Sequence, residues 1–307
     1  MAIIIDAKDS AFTSGAKVGA FKGAAKNLLN SDYHSLDSYW SSSDLKYMSA
    51  NSPMHFKAKY IDKELEPMKQ TPAMILGSLV HCMVLTPDDF EHEFFVMPDL
   101  NFRTNEGKAA KQEILAANVG KMSVTDEQIA IAQKMRESIM SNPEAARLLE
   151  PMKKELAFFW TCPFSNLNFK AKLDGSGGTH FIELKSAISA EPGTFQRQCY
   201  NMNYDLSLVH YRQGLSHVMG CEPKAYFIVV EKTPPYICQV YLAGDSLFET
   251  GHTKWLDAVN KLEQGVKAGK WPGYADVEET PTLDAPPWAY DSKPATAETF
   301  ADDVLDF

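Results

Sequence analysis

Residues 171–187 read AKLDGSGGTHFIELKSA, two apolar runs joined by a glycine-rich break. Such a stretch folds as a hairpin, since glycine supplies the backbone angles that a tight reversal needs. Side chains alternate along a strand, so Glu183 and Lys185 share one face while Ile182 and Leu184 share the other. A two-residue turn at Gly177-Gly178 would set Asp174 opposite Phe181 and diagonal to Glu183. Diagonal neighbours are roughly 7–8 Å apart at the backbone, close enough for two carboxylates to share a cation.

Two acids and a lysine held this closely need a reason. Unshielded carboxylates repel and raise each other's pKa. A bound Mg²⁺ removes the conflict, because it favours a few carboxylates with water and phosphate oxygens. A lysine beside it can orient or deprotonate a metal-bound water, or stabilise charge on a phosphate. The constellation Asp174, Glu183, Lys185 therefore suits hydrolysis of a phosphodiester. A D…ExK string also arises by chance, and Glu183–Lys185 could be a plain surface pair on an edge strand.

The chain has 307 residues, 45% hydrophobic and 23% charged, with a formal net charge of -10. That length is ample for a real core. The acidic balance argues against non-specific coating of nucleic acid, though a local basic groove stays compatible with it. Cysteines at 82, 162, 199, 221 and 238 form no CxxC pair. Their spacing speaks for reduced thiols and against a zinc ribbon or iron–sulfur cluster. No apolar run reaches membrane-spanning length, and MAIIIDAKDS lacks the basic start of a signal peptide. The expectation is a cytoplasmic protein.

Periodicity predicts a short helix capped near Ser43 with a stop at Ser52-Pro53, then a helix over 71–85 that is apolar almost all round. A helix start and a short strand follow in TPDDFEHEFFVMP, then amphipathic helices over 104–119 and 124–149, the second carrying Ile129, Ala132, Met135 and Ile139 near helical spacing. KKELAFFWTCP, LNFKAKLDG and THFIELKSA read as strands. A helical stretch over 191–219, strands KAYFIVVEK and YICQVYLAG, and a helix over 245–268 complete the pattern. The order implies one α/β domain, a mixed sheet with helices on both faces. The expected division is an extension at 1–50 packing on the core, a main domain at 51–275 and an extended acidic tail at 276–307.

The pieces ILGSLVHCMVLTPDDFE, NFRTNEGK, KKELAFFW, FKAKLDG, FIELKSA, YDLSLVHYRQGL and PTLDAPPWAY stand in that order. Together they resemble the nuclease domain of RecE-type phage exonucleases (exonuclease VIII), within the PD-(D/E)xK superfamily. The resemblance implies a PD-(D/E)xK core, a mixed sheet flanked by helices. It implies that His81, Glu155, Asp174, Glu183 and the Leu184 backbone carbonyl hold the metal, with Asp174, Glu183 and Lys185 catalytic. Periodicity alone would make His81 a buried, hydrogen-bonded histidine, and Glu155 a solvated charge beside Lys153 and Lys154. The usual PD is LD here, and the family's glutamine position matches Ser207, with Tyr211 four residues on. Gln196, Gln198 or Gln213 could take that glutamine's place.

Arg103 and Lys108 flank a helix start, where backbone N–H groups favour a phosphate. With Tyr211 and Arg212 they are the DNA-contact candidates. The resemblance implies 5′→3′ resection of one strand of linear double-stranded DNA, leaving a 3′ overhang. It implies Mg²⁺ or Mn²⁺, a ring-like homo-oligomer (tetramer or trimer) and a RecT-like annealing partner. Another PD-(D/E)xK nuclease, an endonuclease or a Cas4-like end processor, is the alternative; the missing cysteine cluster counts against the latter. A catalytically silent DNA-end-binding protein is a third. The terminus AETFADDVLDF resembles the tip of bacterial single-stranded-DNA-binding proteins, with Phe307 as the docking ring.

Overall fold

A computed structural model describes residues 4–7, 21–66, 68–101, 103–177, 179–274, 280 and 282–286. The expectations for the tail from 287 onward, Phe307 included, lie outside the described residues. By its own contacts the chain separates into Met1–Trp271 and Pro272–Phe307. Every helix and strand among the described residues lies in the first unit.

Its elements begin with strands β1 (Ile4–Asp6) and β2 (Gly23–Lys26) and helices α1 (Asn30–Ser35), α2 (Ser42–Ala50) and α3 (Pro53–Phe56). Helices α4 (Pro72–Leu85) and α5 (Phe90–Glu93), strand β3 (Phe94–Val96), helix α6 (Asn105–Ala117) and strand β4 (Met122–Val124) follow. Helices α7 (Asp126–Ser141) and α8 (Pro143–Leu149) lead into three consecutive strands, β5 (Lys153–Thr161), β6 (Asn168–Ser176) and β7 (His180–Ala187). The unit ends with helices α9 (Pro192–Asn201) and α10 (Tyr204–Met219), strands β8 (Lys224–Glu231) and β9 (Cys238–Leu242), and helix α11 (Asp245–Ala268).

The main sheet has seven strands in the order β1-β2-β5-β6-β7-β8-β9. It is mixed: β1 with β2 and β7 with β8 run parallel, and the other neighbours antiparallel. Helices cover both faces, so the expected fold class holds. On one face Leu79 and Val80 of α4 and Met135 and Ile139 of α7 pack on Ile182, Leu184, Ile228 and Val230. On the other, α2, α10 and α11 cover Phe158, Phe169, Phe181 and Phe227. Each of these rings is essentially fully buried, contributing about 1.5–3 kcal/mol to folding by leaving water. The division confirms the alternation expected in β7, with Ile182 and Leu184 on the α4 side and Phe181 on the α10 side.

Local chemistry explains the departures. The stretch expected as one helix over 124–149 breaks between Ser141 and Pro143. Pro143 has no N–H to continue α7, and the Asn142 side chain accepts from the N–H groups of Glu144 and Ala145 to start α8. The stretch 191–219 divides at Asn203, whose φ of 52° is left-handed. Ser52-Pro53 does not merely stop α2, because Ser52 caps α3 and Pro53 takes its first position. The cap of α2 is Ser41 rather than Ser43, closed by a reciprocal bond with Asp44. Helix α4 is apolar all round but buried only from Leu79 onward; its earlier turns overlook a cleft.

Candidate metal centre

The site stands where three strands come level. Extending the β5–β6 register (Lys154 with Gly175, Leu156 with Leu173) brings Glu155 level with Asp174. Extending the β6–β7 register (Gly175 with Ile182, Ser176 with Phe181) brings Asp174 level with Glu183. This differs from the expected hairpin, in which Asp174 faced Phe181: the reversal lies one residue further along, closed by the Gly177 N–H donating to the His180 carbonyl at 2.8 Å. The shift preserves parity and aligns the acids directly.

Pairing between β6 and β7 is confined to those two residue pairs. Beyond them the strands part, and Asp174 occupies the fork. Its Oδ2 accepts the Leu184 N–H at 2.6 Å, replacing a ladder bond, while Oδ1 lies 3.5 Å from His81 Nδ1. Glu155 reaches the same place through a left-handed backbone, φ 53°, a costly conformation for a side-chain-bearing residue. His81 descends from α4, where a Cβ on Gly77, one turn earlier, would stand 3.2 Å from Ser186 Oγ of β7. The small residue lets the helix approach the sheet closely. The outcome is a triad, His81, Glu155 and Asp174, with one ligand atom of each within 4.8 Å of the others.

Glu183 and Lys185 stand beside the triad as an ion pair, Nζ to Oε2 2.6 Å. Burial pushes the Glu183 carboxyl up to about 7, against the pull of Lys185 and with the repulsion of Asp174 added. Burial alone would raise Asp174 as well, but His81, Lys185 and the Leu184 N–H hold it below the usual carboxylate range. His81 is held above its ordinary value by Asp174 despite burial. Burial raises Glu155, moderated by Lys172. The second Glu183 oxygen, Oε1, is buried with no hydrogen-bond partner. A buried orphan oxygen, two further carboxylates and an imidazole fit a divalent cation that takes mixed oxygen and nitrogen donors, such as Mg²⁺ or Mn²⁺. His81, Glu155 and Asp174 would hold it, with Glu183 next to them.

The cleft over the triad has a volume of about 490 Å³ and is also lined by Asn30, His34, Ser42, Lys172 and Tyr211. Of the DNA-contact candidates only Tyr211 lines it. Its hydroxyl lies 3.2 Å from Ser42 Oγ, and burial pushes its pKa well up. Arg212 turns the other way, its guanidinium 3.5 Å above the Phe248 ring. Arg103 and Lys108 are exposed at the start of α6, outside the residues lining the cleft. Ser207 is buried and donates back to the Asn203 carbonyl. Of the three glutamines, Gln198 donates to the Tyr204 hydroxyl at 3.4 Å, and the Tyr204 ring lies 5.4 Å from Lys185 Nζ. Sequence reasoning missed Lys172, whose Nζ is 2.8 Å from Glu155 Oε2 and donates to Asn30 Oδ1 at 2.7 Å. Its signal was its place two residues before Asp174 on the same strand.

A family model described as a PDDEXK-like domain of unknown function (DUF3799) matches residues 41–280. A crystal structure from Eubacterium rectale, provisionally termed an exonuclease, superposes with a TM-score of 0.58 at 16% identity, covering 84% of this chain and 96% of that one. An alkaline exonuclease from Laribacter hongkongensis gives a TM-score of 0.26 at 14% identity over 55% of this chain and 87% of its own. No curated protein matches the chain. No helix among the described residues is long and apolar enough to cross a membrane.

Proposed function

The chain belongs to the PDDEXK-like domain family, and from that premise we propose that it is a metal-dependent 5′→3′ exonuclease on linear double-stranded DNA. One observation carries the proposal: the donor atoms of His81, Glu155 and Asp174 converge within 4.8 Å beside the Glu183–Lys185 pair. When bound, Mg²⁺ or Mn²⁺ would polarise a phosphoryl oxygen and make an attacking water more acidic. The remaining work falls to the chain. Asp174, anchored by the Leu184 N–H, keeps its carboxylate fixed at the fork. Lys185, held by Glu183, sets a cation against the charge that grows on the phosphate.

Direction and product rest on the RecE-type resemblance, which supports loss of one strand from its 5′ end and a 3′ overhang for a RecT-like annealing partner. A ring of subunits around the duplex belongs to the same reading. The E. rectale neighbour, provisionally termed an exonuclease, supports end-dependent cleavage over internal cutting.

The test is linear duplex labelled at the 5′ or the 3′ end, with closed circular duplex alongside, in Mg²⁺. Wild type should release mononucleotides from 5′ ends and spare circles. Asp174→Ala, which removes a carboxylate that would hold the metal, should lower the rate by roughly a hundred- to a thousandfold, the range for losing one electrostatic contributor to the transition state. A cut circle would establish an endonuclease instead, and an inert wild type would leave a binding protein.

A further inference from the structure

Lys46, on α2, stands close to this site and takes no part in the roles assigned so far. Its ammonium lies 5.7 Å from the centre of the Tyr204 ring, and that of Lys185 lies 5.4 Å from the same ring. Lys185 has Glu183 as its carboxylate at 2.6 Å. Among the described residues, no carboxylate is in ion-pair contact with Lys46. Its surroundings are costly to a cation. Burial and the repulsion of Lys185 bring its pKa down to about 8, with Glu183 compensating in part.

Two lysines stand against one aromatic ring, and of the two only Lys185 has a carboxylate in ion-pair contact. A cation–π contact is worth roughly 0.5–2 kcal/mol and does not replace an ion pair in a half-buried setting. The acids Glu155 and Asp174 stand together beside His81. The centre thus holds an acidic cluster suited to a cation and a pair of lysines suited to an anion. A phosphodiester beside a metal ion presents those two needs together.

We propose that Lys46 and Lys185, both against the Tyr204 ring, form a binding site for a backbone phosphate of the DNA substrate. Lys46 is the member that makes its ion pair only when substrate is bound. The proposal rests on the nuclease reading of the same site. It makes Lys46 costly to the free protein and useful to the complex, opposite in sign to a structural lysine.

The experiment compares wild type, Lys46→Met and Lys46→Arg. Lys46→Met keeps the aliphatic stem and removes the charge. Binding to a linear duplex is measured with Ca²⁺ in place of Mg²⁺ over a series of salt concentrations, and thermal unfolding is followed without DNA. For Lys46→Met the expected result is a Kd about tenfold higher, the cost of one charge-assisted contact. The slope of log K against log salt should be shallower by about 0.9, one phosphate contact fewer. The Tm should be equal to or above that of wild type. Lys46→Arg should keep the wild-type slope.

An unchanged slope in Lys46→Met, or a lowered Tm with unchanged affinity, overturns the proposal. So does loss of the slope in Lys46→Arg. Inorganic pyrophosphate separates this site from the nuclease reading: it should raise the Tm of wild type and leave that of Lys46→Met unmoved. A wild type that ignores DNA yet responds to pyrophosphate through Lys46 keeps the anion site and removes the nuclease. An equal pyrophosphate response in wild type and Lys46→Met removes the anion site.

Discussion

His210 is kept neutral from both ring nitrogens. The Trp255 indole N–H points at Nδ1 at 3.2 Å, so Nδ1 accepts, and Nε2 must carry the proton it donates to the Lys170 carbonyl at 3.0 Å. Trp160 and Phe169 close around the ring. Burial pushes its pKa down to about 4, which the bond to Lys170 offsets only in part. The unfolded chain therefore binds more protons than the folded one between pH about 4 and an unfolded value near 6.5. Stability contributed by the neutral ring is complete above that window and lost as pH falls through it, up to roughly 3 kcal/mol. His210→Gln should flatten the fall. Urea unfolding at intervals from pH 7 to pH 4 measures it, and equal acid slopes in both proteins would exclude His210 as the cause.

The same scale shows what a single sequence yields. Asp174, Glu183 and Lys185 were legible because charges inside apolar runs need a reason. His81 and Glu155 came only with the family resemblance, since a helix histidine and a strand-end acid have ordinary explanations. Lys172 and Lys46 were not legible. A lysine on a strand or an amphipathic helix reads as solvated, and only the fold reveals that Lys172 reaches Glu155 and that Lys46 lies beside Tyr204.

Among the elements, α10 and α11 pack closely, and one glycine permits it. A Cβ on Gly251 would fall 2.2 Å from the Asp205 carbonyl oxygen, a backbone atom that cannot rotate away. The same junction holds the fully buried Asp205, paired with Lys254 at 2.9 Å and bonded by Thr250 at 3.0 Å. Gly251→Ala must push the helices apart or bend one of them. The expected loss is about 1–3 kcal/mol or more, as overpacking costs, even though alanine favours a helix by up to about 1 kcal/mol. Chemical denaturation of the variant checks the sign, which propensity alone would reverse. The pattern of elements was legible wherever periodicity was strong: β5 to β9 and α11 stand where the apolar alternation placed them. Strands β1 and β2 were not. The four residues Gly23–Lys26 carry no β-branched side chain and become a strand only by pairing with β5, more than a hundred residues away. Such pairing is a tertiary effect that local propensity does not encode.

For the molecule as a whole, a net charge of -10 makes an acidic protein, and part of its acidity is stored in the row Glu155, Asp174, Glu183. Folding works against that repulsion, with His81, Lys172 and Lys185 as partial compensation. A divalent cation that binds the folded row and not the unfolded chain must therefore stabilise the whole unit. By mass action the gain is about 2.7 kcal/mol when the free metal is a hundred times its Kd. Protein stripped with chelator should unfold at a lower temperature than the same protein in Mg²⁺ or Mn²⁺, and the Tm should climb with the logarithm of metal concentration. Asp174→Asn should remove that dependence while leaving a cooperative transition. Calorimetry over a metal series reads both without any substrate, so the metal centre is tested separately from cleavage. A Tm that rises equally in wild type and Asp174→Asn would place the stabilising ion elsewhere on the acidic surface and detach the triad from metal binding.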